Sequence, residues 1–220
     1  MCIRDRVAAA RLLVHSSHMG FLPEYQGQGL GERLKQKQRE TALALGISLV
    51  TWTYDPLESK NAWLNIGKLG AVCNKYERNW HGELTGMNEG LPSDRFRVDW
   101  WVNSNRAKSR ASKKRKPLQL FHYTDGNVPV INKANFNTRN QSIPPDTFQK
   151  TDNNLVLLEI PAYFQAIKRD DFELAKAWRD HSRDALEYYF NNEYLVTDVV
   201  VDTSDSPRDR TFYVLTYQNA

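Results

Sequence analysis

Gln26-Gly27-Gln28-Gly29-Leu30-Gly31 is the stretch whose residue types and spacing point most directly to chemistry in this 220-residue chain. An apolar run from Arg11 to Leu22 leads into it, and a charged, helix-patterned segment from Glu32 to Leu45 follows. Strand, glycine loop and helix in that order aim backbone N–H groups at a phosphate sitting at a helix N-terminus. Glycine serves twice in such a loop. It accepts positive φ, and it has no Cβ to hold a ligand away from the backbone. A plain tight turn would use the same residues, so the loop alone leaves both readings open.

The elements that must position the loop follow from periodicity. Val7 to Leu22 reads as a strand ended by Pro23. Leu30 to Leu45 reads as a helix with Leu30, Leu34, Thr41, Ala42 and Leu45 as its apolar stripe and Gly46 as its C-terminal cap. Ile47 to Tyr54 is a buried strand. Asp55, Pro56 and Glu58 look like the N-cap, first turn and capping-box partner of a second helix that Gly70 stops. Ala71 to Tyr76 and Phe96 to Val102 are further strands. Leu155 to Ile160 is another, and Asp170 with Glu173 opens a long helix seamed by Ala175, Trp178, Ser182, Ala185 and Tyr189. Tyr194 to Val201 and Thr211 to Tyr217 form a closing antiparallel pair. The order predicts an α/β or α+β fold, with a mixed central sheet flanked by helices and an α+β extension at the C-terminal end.

Composition sets the outer bounds. Apolar residues make up 40% and charged residues 25%, as in ordinary globular proteins, and no apolar run is long enough for a transmembrane helix. The net charge of +4 is gathered largely in Arg106 to Lys116, which carries no aromatic residue to stack on bases. That run reads as a solvated linker, and nucleic acid is not the expected partner. Cys2 and Cys73 are the only cysteines, so neither a disulfide framework nor a cysteine-rich metal site is expected, which suits the cytoplasm. The resulting division is 1–6 as a non-native leader, 7–103 as a ligand-binding domain, 104–117 as a basic linker or loop, and 118–220 as the extension.

Leu22 to Gly31 resembles motif A of the GNAT superfamily of acyl-CoA-dependent N-acyltransferases. The motif is Gln/Arg-x-x-Gly-x-Gly/Ala, matched by Gln26, Gly29 and Gly31. Gly67-Lys68-Leu69-Gly70-Ala71 resembles the superfamily's helix ending in Lys-Leu-Gly-Phe, and the order and spacing of the two motifs fit. Thr51 to Leu57, with Asn61 to Asn65, is similar to an uncharacterised bacterial subgroup that carries a C-terminal extension. The resemblance implies a splayed parallel strand pair holding acetyl-CoA as co-substrate. Met19, Gly20 and Phe21 would offer backbone groups to its pantetheine amides. The backbone of Gly27, Gln28, Gly29, Leu30, Gly31 and Glu32 would hold its pyrophosphate, with Gln26 as the motif's first residue and Asn61 as a further contact. An amine on a small molecule or other acceptor would attack the thioester directly, without a metal.

The resemblance also implies departures. The family's thiolate-protonating Tyr falls at Ile66, and Tyr76 or Tyr54 could take its place. The register of the CoA-contacting Asn falls on Ser59, close to Asn61. Asp55 and His18 are the candidate general bases. A capping role would also explain Asp55, and a structural role His18. The family's acceptor-binding first strands would precede Val7, so the expectation is a truncated N-terminus. A non-catalytic CoA-binding or regulatory module retaining the same fold is the alternative.

Overall fold

The computed structural model describes residues 12–17, 19–82, 90–113 and 115–218. The architecture is α+β, with three sheets and helices packed against them. In the first sheet β1 (Leu13–His15) runs parallel to β2 (Leu49–Tyr54), β2 pairs antiparallel with β4 (Arg95–Trp101), and β4 with β3 (Tyr76–Glu77). The helix α1 (Leu30–Ala44) makes the crossover that a parallel pair requires. It ends in a Schellman motif, with Ile47 N–H bonded to Ala42 C=O, Gly46 N–H bonded to Leu43 C=O, and Gly46 at φ 70°. After β2, α2 (Ser59–Ala62) continues into a π-helical turn, Trp63–Lys68.

The second half contributes α3 (Asn105–Ala111), α4 (Leu120–Thr124) and a small ribbon of β5 (Asn135–Phe136) and β6 (Ser142–Ile143). β7 (Leu155–Pro161), α5 (Phe164–Asp170), α6 (Phe172–Asn191), β8 (Tyr194–Asp202) and β9 (Arg210–Tyr217) complete it. The three strands form an antiparallel sheet ordered β7-β9-β8. On α6 the predicted seam is buried, joined by Arg179 and Leu186. Its N-cap is Asp171, one residue beyond the expected Asp170, and accepts the Leu174 N–H at 3.0 Å.

The two large sheets share one core. Cys73 exchanges backbone hydrogen bonds with Val196 at 3.2 and 2.8 Å, and Val72 does the same with Asp99 at 3.0 and 2.9 Å. Trp52, Phe96 and Trp100 from the first half and Trp178, Tyr189 and Tyr213 from the second belong to a single hydrophobic cluster. The stretch expected to be a solvated linker folds inward instead. Its helix α3 lets Arg106 donate to the carbonyls of Gly70 (2.9 Å) and Thr197, while Arg110 and Arg115 both pair with Asp198. Among the described residues no helix is long and apolar enough to cross a membrane.

Candidate active-site cleft

The glycine loop is held in shape by side-chain bonds to backbone carbonyls and by the Gln26 N–H bond to the Pro23 carbonyl at 3.1 Å. A 3-10 turn, Pro23–Tyr25, follows the strand. Gln26 Nε2 donates to the Phe21 carbonyl at 3.1 Å, and Gln28 Nε2 to the Glu24 carbonyl at 2.7 Å. Gly27 and Gly29 adopt φ of 74° and 73°, and a Cβ built on either would meet no protein atom within 4 Å. No side chain caps α1, and the first backbone bond into it runs from Arg33 N–H to Gly29 C=O at 3.2 Å. The N–H groups of Leu30, Gly31 and Glu32 are therefore the unpaired donors of a helix start. Gly31 serves packing instead. A Cβ there would lie 3.3 Å from Leu64 and 3.5 Å from Met19, so glycine lets the π-helical turn approach. The Glu32 side chain faces Lys68 (2.9 Å) and Lys113 (3.6 Å). Burial works against its charge, but these lysines outweigh that and hold its carboxyl below the usual range.

Next to the loop the parallel strands part. Their pairing ends at His15 opposite Thr51, and the last bond is Ser16 N–H to Thr51 C=O at 2.7 Å. β2 continues against β4 to Tyr54, whereas β1 stops at His15, so the strand expected to run to Leu22 ends earlier and the described residues that follow it are not in a strand. The gap is a cleft of about 520 Å³. Ser16, Met19, Lys35, Trp52, Asn61 and Arg179 line it, bringing the first strand, α1, β2, α2 and α6 to one place. Met19 joins cradle to cleft, since it lines the one and closes on Gly31 of the other.

No family model, curated protein or solved structure matches this chain.

The geometry of the cleft sorts the expected catalytic residues. Asp55 lines the cleft, but its carboxylate accepts from Arg179 at 2.6 Å and lies 3.5 Å from Arg95. Its other oxygen accepts the Leu57 N–H at 2.9 Å. The predicted N-cap role is corrected: Pro56 and Leu57 form a turn, and α2 starts at Ser59 with Glu58 before it. Tyr76 is not among the lining residues. Its hydroxyl donates at 2.8 Å to Asp94, which also accepts from Arg183 at 2.8 Å. Burial pushes the Tyr76 phenol well up, so it stays protonated. Tyr54 lines the cleft with its backbone strand, but its hydroxyl is buried against Tyr213, and burial pushes that phenol up as well. Ile66, at the family's acid position, is in the core. Asn61 does line the cleft, as does the buried Asn65 one turn on. His18 and the expected leader 1–6 lie outside the described residues.

Among the lining residues that the sequence did not mark as site residues are Arg179, Lys35 and Ser16. Arg179 is fully buried, with its Nε and Nη1 unpartnered. Although its charge suggests a solvated face, it lies on the seam, four residues after Ala175 and three before Ser182, and that phase is the available signal. Lys35 and Ser16 meet across 2.9 Å. Of the predicted α1 stripe Ala42 is buried as expected, but Leu34, Thr41 and Leu45 are exposed, and Lys35 and Arg39 turn toward the sheet instead.

Proposed function

We propose that the chain is a GNAT-type acyltransferase that moves an acetyl group from acetyl-CoA to an amine acceptor in the cytoplasm. The observation that carries this reading is the pairing of an uncapped helix start with a parted parallel strand pair, joined through Met19 and Gly31. Anions are favoured at such a helix start by its free N–H groups and by the dipole. A Cβ on either positive-φ glycine would meet open space, so the loop leaves room for an anion to approach its backbone.

In this reading acetyl-CoA supplies a thioester carbonyl already activated toward amines. The N–H groups from Gly27 to Glu32 bind its pyrophosphate. Met19 and Gly20, past the last strand bond, offer backbone groups to an extended amide chain; Phe21 offers only its N–H, since its carbonyl is taken by Gln26. The cleft then holds an amine beside the carbonyl, and positioning supplies much of the rate. Arg179 and Arg95 keep Asp55 and the end of β2 in place.

A second reading, a CoA-binding module without catalysis, is favoured by Ile66 and by the engaged hydroxyls of Tyr54 and Tyr76. Thiol release from acetyl-CoA across a panel of small amines and lysine-containing peptides separates the two. Amine-dependent release is expected; tight binding of CoA with no release for any amine would favour the module.

A further inference from the structure

We propose that Ser16 and Lys35 are the proton relay of the cleft, the Ser16 hydroxyl taking a proton from the acceptor nitrogen as it passes its own to the Lys35 amine. The role rests on the acyltransferase reading above. It fills the place left by Asp55, tied to two arginines, and by Tyr76, outside the lining.

The pair is within proton-transfer reach: the Lys35 ammonium donates to Ser16 Oγ and Gln38 Oε1, and the neutral amine can accept from the same hydroxyl. Lys35 Nζ lies 2.9 Å from Ser16 Oγ and 3.2 Å from Gln38 Oε1, and 3.8 Å above the Trp52 ring centre. Only 4% of Lys35 is exposed, whereas Ser16 is half-buried at the point where the strands part. Both residues line the cleft, and the hydroxyl is the more exposed of the two, which suits it to meet a substrate nitrogen. A lysine buried without a carboxylate is rare, because an apolar residue of the same length would pack at lower cost. Burial brings its ammonium down to about 8, so a neutral fraction is present near physiological pH.

The charged groups around it do not reverse this. The first strand brings His15, and β2 and the following turn bring Asp55 and Glu58. β4 and the segment before it bring Arg95 and His81, and α5 and α6 bring Lys168 and Arg179. On α1 itself Lys37 points outward to Glu40 at 2.9 Å. Burial is the one effect that moves Lys35.

An ammonium acceptor loses two protons in becoming an amide. Neutral Lys35 receives one through Ser16, the freed nitrogen lone pair forms the C–N bond, and the C–S bond breaks with its electron pair on sulfur. The second proton goes to the departing thiolate. Lys35 acts through Ser16, so it is a positioning and proton-holding residue, and Ser16 is the group that touches substrate.

NMR titration of lysine Cε in the ligand-free chain, assigned with Lys35→Arg, reads the amine without turnover. A midpoint near 8 is expected, and an ordinary lysine midpoint above 10 would overturn the relay. In parallel, thiol release is followed against pH for wild type, Ser16→Ala and Lys35→Arg. Lys35→Arg keeps length and charge but cannot become neutral, and general-base loss is expected to lower kcat roughly 100-fold or more. The alkaline rise of the wild-type profile should disappear with it, while acetyl-CoA affinity stays within about 3-fold in both variants. Turnover within 3-fold of wild type in Lys35→Arg would overturn the relay and leave the acyltransferase reading standing. Failure of wild type to bind acetyl-CoA would overturn that reading and the relay with it.

Discussion

Lys35 illustrates what a buried cation costs. Its ammonium is held down near 8 from an ordinary 10.5 by burial alone. At neutral pH the folded chain must bury that charge, which the unfolded chain leaves in water. Lys35→Met should therefore stabilise the protein at pH 7 by on the order of 2 kcal/mol after the lost bonds to Ser16 and Gln38 are deducted, or about 4–8 °C in Tm. The sign of its pH dependence follows from linkage. Between about pH 8 and 10.5 folded Lys35 is neutral while the unfolded lysine is still protonated, so the unfolded state holds the extra proton. Wild-type stability contributed by this group rises with pH across that window, and the advantage of the Met variant should shrink from pH 8 to 10.5. Thermal melts of both chains at pH 7, 9 and 10 check it. A Met variant less stable than wild type at pH 7 would show that Lys35 is there for its bonds rather than in spite of its charge.

The cradle is a property of α1 and the turn before it, and its glycines separate ligand binding from stability. Gly29→Ala places a residue at φ 73°, a strain of about 1 kcal/mol, and adds a methyl that meets no protein atom. Gly46→Ala at the other end of the same helix, at φ 70° and equally open, carries the same strain. The two should lose similar stability in denaturant melts. Only Gly29→Ala should also lose acetyl-CoA affinity, by about 10-fold or more. Sequence reading is strongest for elements whose own residues repeat a pattern. The α6 seam is legible because five residues keep one phase behind an N-cap. The α1 helix is legible in extent, and Ala42 on its inner face with it, but the exposed Leu34 and Leu45 offer a competing apolar face. Lys35 therefore stays hidden, since nothing in its neighbours marks it as inward.

At the scale of the molecule the readings that changed are those depending on distant partners. Arg106, Arg110 and Arg115 read as a solvated run because their partners, Thr197 and Asp198, come more than eighty residues later. Asp55 read as a cap because Arg179 lies on another helix, 124 residues on. The hydrophobic cluster shared by the two halves explains how the C-terminal half reaches the cleft: α6 supplies both the core Trp178 and the cleft Arg179 from adjacent positions. The proposed site thus draws on both halves of the chain. Isothermal titration of acetyl-CoA into the full chain tests the central claim most directly. Saturable one-to-one binding that is weakened by Gly29→Ala and unaffected by Gly46→Ala is the predicted result; no heat of binding at millimolar acetyl-CoA would contradict it.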